Sequence, residues 1–126
     1  MDEAEFLDRV AARAGISRGQ AEALARATLR TLAERVSGGE VRDLAGELPP
    51  GVGRWLMSER QPPRRFGPDE FAQRVGRRAG IPADRVEERV RAVFLTLDEA
   101  ISGRRFRQIV ARLPKEFWLL APPVAG

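Results

Sequence analysis

Residues 5–16 read EFLDRVAARAGI, and 65 positions later residues 70–81 read EFAQRVGRRAGI. The match runs on without a gap. Residues 31–49, TLAERVSGGEVRDLAGELP, face residues 96–114, TLDEAISGRRFRQIVARLP. Between 5–55 and 70–120 there are 19 identities in 51 positions, several times what composition alone gives. A duplication of this strength decides the architecture before any local propensity does.

Each copy reads as helices. Asp2 and Glu5 have the spacing of a capping box, and Phe6, Leu7, Val10 and Ala14 share one helical face. Gly15 suits the left-handed position that ends a helix, with Ile16 as the apolar residue that follows. Ser17 and Gln20 repeat the capping-box spacing. Ala21, Leu24, Ala25, Thr28, Leu32 and Val36 then line a long helix that stops at Ser37-Gly38-Gly39. Val41, Leu44, Ala45 and Leu48 predict a third helix closed by Pro49-Pro50, and Val52, Trp55 and Leu56 a short fourth. In the second copy Pro68 suits a first helical position, and Phe71, Val75 and Ala79 form the apolar face. Val86, Val90, Val93, Phe94, Leu97 and Ile101 line its long helix, followed by Phe106, Ile109, Val110 and Leu113. Phe117, Trp118, Leu119 and Leu120 close the copy. No segment alternates with period two.

The expectation is therefore an all-α chain: two tandem pseudo-symmetric helical bundles of about four helices each, packed into one domain over residues 1–126. The repeats span 2–57 and 67–121 and are joined by a polar, proline-containing linker, 58–66. A unit of such length buries only a small core, so each is expected to hide apolar surface against the other.

Composition excludes more than it suggests. The 126 residues include no Cys, His or Tyr. That rules out a disulfide framework, a Cys/His metal site, a thiol nucleophile and a histidine acid–base pair. No cofactor and no metal are expected. The acidic start, with Asp2, Glu3 and Glu5, is unlike a secretory leader, and no apolar run is long enough for a bilayer span. A cytoplasmic location follows as the expectation.

The doubled pattern resembles a bacterial family, domain of unknown function 2267. The features that carry the resemblance are Phe6, Val10, Gly15, Ile16, Ser37, Gly38, Gly39, Leu48 and Pro49. They recur as Phe71, Val75, Gly80, Ile81, Ser102, Gly103, Leu113 and Pro114. Arg104 replaces the second glycine of the turn, and Pro82 stands in the place of Ser17. The resemblance implies a small helical bacterial protein and brings no activity, substrate or catalytic residue with it.

Carboxylates are the only catalytic candidates left. Glu22/Glu87 and Glu34/Glu99 recur in both copies, but their spacing to arginines such as Arg26/Arg91 is that of solvated ion pairs. The serines sit at turns with no histidine to activate them. A carboxylate enzyme is accordingly disfavoured.

Charge is where the copies diverge. Residues 1–61 carry a net −1 and residues 62–126 a net +5. Glu40, Asp43 and Glu47 on the third helix become Arg105, Gln108 and Arg112, and Arg104, Arg107 and Lys115 extend the basic side. Arg74, Arg77 and Arg78 cluster on the first helix of that copy. Glu40, Asp43, Glu47, Arg104, Arg105, Arg107, Arg112 and Lys115, with Trp55 and Trp118, form the candidate partner surface; the tryptophans are expected to cap the two cores, with anchoring of a partner as the alternative. The favoured function is a non-enzymatic interaction or self-association module, with a protein partner or a weak homodimer held by the opposite faces. Nucleic-acid binding by the basic second copy is the alternative, weakened by interspersed acids and the absence of a stacking platform.

Overall fold

The computed structural model describes residues 1–36, 38–57, 65–101 and 106–108. The described elements are all helical: α1 (Glu3–Ala14), α2 (Arg18–Arg35), α3 (Gly38–Glu47), α4 (Pro50–Gly53), α5 (Pro68–Ala79) and α6 (Val86–Ala100). No strand occurs among these residues. Residues 106–108 are also helical.

The helix ends follow the local chemistry. The Asp2 carboxylate accepts from the Glu5 amide at 2.8 Å. Ser17 and Gln20 form a reciprocal capping box at the start of α2. α1 and α5 both end in a Schellman turn. Gly15 and Gly80 take φ values of 67° and 69°, in the left-handed region that other residues avoid. The next amide, of Ile16 or Ile81, returns to the carbonyl of Ala11 or Gly76 at 3.1 and 2.9 Å.

The capping box is lost in the second half of the chain. Pro82 stands where Ser17 does, residues 83–85 form turns, and α6 begins at Val86 with no side-chain cap. Three residues that are helical at the start of α2 are thus turns before α6. Pro68 occupies the opening of α5.

Packing runs across the chain. α1 packs on α2 and α5 on α6, but α2 lies most extensively on α5, and α1 lies on α6. The buried residues form one continuous cluster drawn from all of these helices. Among the described residues the core is therefore shared by both halves of the chain. Phe6, Phe71, Phe94 and Phe106 are among its largest fully buried members. Rings link through Phe66–Phe71, Phe71–Phe94 and Phe94–Phe106, with centroids 6.3, 5.9 and 5.7 Å apart. Phe66, assigned from the sequence to the end of the linker, is 8% exposed and belongs to the core. Its carbonyl accepts from Arg35 Nε at 3.0 Å.

Candidate functional site

Two polar clusters tie α1 to α6 and α5 to α2. In the first, Arg13 donates to Thr96 Oγ1 at 2.9 Å and to Glu99 at 2.6 Å. Arg9 donates to the other Glu99 oxygen and to Glu5, both at 3.1 Å. In the second, Arg78 donates to Thr31 Oγ1 at 2.8 Å and to Glu34 at 2.6 Å. Arg74 lies 3.4 Å from Glu34 and also pairs with Glu70. Each member of one cluster has its counterpart in the other 65 residues away. Thr31 and Thr96 are buried, and their hydroxyls donate hydrogen bonds to the carbonyls of Ala27 and Ala92.

These contacts set the state of both carboxylates. The Arg78 hydrogen bond holds Glu34 below its ordinary pKa, against the upward push of partial burial; the charges of Arg78 and Arg74 lower it further. The Arg13 hydrogen bond does the same for Glu99, helped by Arg9. The Glu34 side chain is 23% exposed and that of Glu99 37%, so the second cluster is the better shielded. Carboxylates held ionised between two arginines are poor proton donors and poor general bases. Their geometry is that of fasteners between helices.

A cleft of about 500 Å³ opens along α5 and the start of α6. Ala72, Gly76, Ile81 and Val86 line it, with Asp69, Arg77 and Glu87 also on its wall. The sequence explains it. At the position of Ala72 the first half of the chain carries Leu7, which is buried. Gly76 replaces Ala11, and the space released is taken by Val86: a Cβ at 76 would lie 3.0 Å from Val86 Cγ2. A smaller pocket of about 210 Å³ lies where both Schellman turns meet, with Ile16, Gly80, Ile81 and Arg89 on its wall.

The residues singled out from the sequence fare differently. Asp43, Glu47 and Arg107 are exposed and Glu40 is half-buried. Glu40, Asp43, Glu47 and Arg107 each already engage a neighbour. Arg107 Nε lies 3.9 Å from Asp98, whose Oδ1 is buried without a hydrogen bond. Trp55 is 5% exposed and sits in the core with Arg26 over its ring at 5.6 Å, so it caps the core and offers no exposed anchor. Arg104, Arg105, Arg112, Lys115 and Trp118 lie outside the described residues. Glu22 pairs with Arg26 at 3.8 Å as its spacing predicts. Glu34 and Glu99 instead reach across to the other half. The signal for that was present in the identities at Arg9/Arg74, Arg13/Arg78, Thr31/Thr96 and Glu34/Glu99, since polar residues kept in both copies at buried or half-buried places need partners.

Among the described residues no group of three acidic side chains could hold a metal, and no helix is long and apolar enough to cross a membrane. Fold and clusters together define an all-helical protein in which two matching arginine, threonine and glutamate clusters fasten helix to helix. The chain belongs to the family described as Uncharacterized conserved protein (DUF2267), whose family model matches residues 3–120. No curated protein matches the chain.

Proposed function

We propose that the chain is a non-enzymatic, cytoplasmic protein-interaction module. In this reading two repeats, 2–57 and 67–121 joined through 58–66, fold as one domain about an approximate two-fold axis. Support for the repeats comes from the twin Schellman turns and from clasps whose members all recur 65 residues on. Support for interaction comes from the cleft. Its floor is aliphatic and its wall carries charges of both signs, while the recurrent carboxylates Glu34 and Glu99 spend their charge on arginines.

The occupant of the cleft is an aliphatic side chain of a partner protein, flanked by charges opposite to Arg77 and Glu87. The first half of the chain argues for this, because it carries the buried Leu7 at the position matching Ala72. The observation that carries the reading is therefore the exchange of Leu7 for Ala72. Ala72→Leu restores the larger side chain and narrows the cleft. Affinity capture from cell extract, followed by titration of the captured protein, compares the two forms at matched helicity and stability. The expected result is a partner bound by the parent and weakened at least about tenfold by Ala72→Leu. Equal binding by both forms, or no partner for the parent, contradicts the proposal.

A further inference from the structure

The two clasps are reciprocal, and that gives the surface between the halves an unusual property. Residues 1–57 supply the donor Arg13 and the acceptors Thr31 and Glu34. The residues from 65 onward supply the donor Arg78 and the acceptors Thr96 and Glu99. Each half therefore offers one donor set and one acceptor set. We infer that this surface also fits a second copy of the chain, by exchange of halves: α1–α4 of one molecule clasp α5–α6 of another, and the remaining halves clasp in turn. No new contact is needed, because the dimer contains the same interface twice. The inference rests on the two-repeat reading above.

The exchanged surface is larger than the clasps alone: α2 lies on α5, α1 on α6, and α2 also touches α6. An exchanged dimer keeps each of these helix contacts, now made between two chains.

Within one chain the halves meet at the high effective concentration of a short tether, so the closed monomer prevails in dilute solution. Charge reversal can force the exchange. One variant carries Arg13→Glu and Glu34→Arg, reversing both clasps on the first half. The other carries Arg78→Glu and Glu99→Arg, reversing them on the second. Each variant alone places like charges at both clasps. A dimer of the two restores opposite charges at all four. The full-length variants are unfolded in denaturant, refolded separately and as an equimolar mixture, and measured by sedimentation equilibrium and thermal melting. The mixture is expected to give a one-to-one dimer at twice the 14.0 kDa chain mass, with a melting point above that of either variant alone. The chain carrying all four changes serves as the reference. If that chain is a folded monomer while the mixture melts as the sum of its parts, exchange is overturned and the clasps stand. If the four changes together recover no stability over the paired variants, the clasp reading itself fails and the exchange fails with it.

Discussion

Arg13 and Arg78, 65 residues apart, make the same contacts: each donates to a buried threonine hydroxyl and to a glutamate three residues further along the same long helix. Arg13 reaches α6 and Arg78 reaches α2. The carboxylate is the charged end of the contact, and the hydroxyl fixes where the guanidinium lies. The hydroxyl in turn is oriented by its own bond to the carbonyl four residues back. This chain of donors explains why a polar residue is kept at two fully buried positions.

Three buried threonines therefore have two different jobs. Thr31 and Thr96 accept from arginine, whereas among the described residues Thr28 makes only its bond to the Leu24 carbonyl, at 2.8 Å. The position matching Thr28 in the second half is already Val93. Thr31→Val and Thr96→Val are each expected to cost about 1–2 kcal/mol, and Thr28→Val to stay within about 0.5 kcal/mol of the parent. Urea unfolding of the three variants checks this. Equal losses at all three positions would show that the arginine contacts contribute nothing.

Acid should loosen the clasps. Glu34 and Glu99 have lower pKa values folded than unfolded, so the unfolded chain binds more protons as pH falls below the ordinary carboxylate value of 4.5. Their contribution is fully present above that value and is lost as pH drops through the lowered folded values. Arg13→Met with Arg78→Met removes the largest cause at each carboxylate and leaves Arg9 and Arg74, so the pH dependence of stability should become shallower in that range. Parallel curves for parent and variant, measured by urea unfolding at a series of acidic pH values, would contradict it.

Much of this fold is legible in the sequence. The spacing of Phe6, Val10 and Gly15-Ile16 predicts a helix and its stop, and the structure shows both, twice. Pro68 opens α5 as its place predicts. Ser17-Gln20 forms the expected capping box, but no rule of spacing says how many residues are turn before α6 once Pro82 replaces that cap. The clasps were half legible. Arginine and glutamate pairs at i+4 can be read along one helix, as for Glu22 and Arg26, whereas Arg78 and Glu34 meet only because α5 packs on α2. Partners that far apart in the chain have no period to reveal them. The exchange of Leu7 for Ala72 is visible in the repeat, but only the packing of α5 against the start of α6 shows that a cleft opens there.

Glycines in this chain differ sharply in what they tolerate. A Cβ on Gly53 would sit 2.7 Å from the Ala45 carbonyl oxygen, where α4 comes close to α3. A Cβ on Gly46, in α3 itself, meets nothing within 4 Å. Gly53→Ala is expected to destabilise by roughly 2 kcal/mol, and Gly46→Ala to stabilise by about 0.5 kcal/mol through helix propensity. Thermal melting distinguishes the two directly. A neutral Gly53→Ala would mean that α4 can move away from α3 at no cost.

The reciprocity of the clasps is tested most directly by double-mutant cycles on Arg78/Glu34 and Arg13/Glu99, with Arg13/Glu34 as a control pair confined to one half. Alanine replaces each residue singly and in pairs, and urea unfolding supplies the free energies. The account predicts a favourable coupling of about 1 kcal/mol for Arg78/Glu34. For the more exposed Arg13/Glu99 it predicts a smaller coupling of the same sign, with the control within about 0.3 kcal/mol of zero. Zero coupling in both cross-half pairs, or coupling in only one of them, would contradict a structure held by two matching clasps.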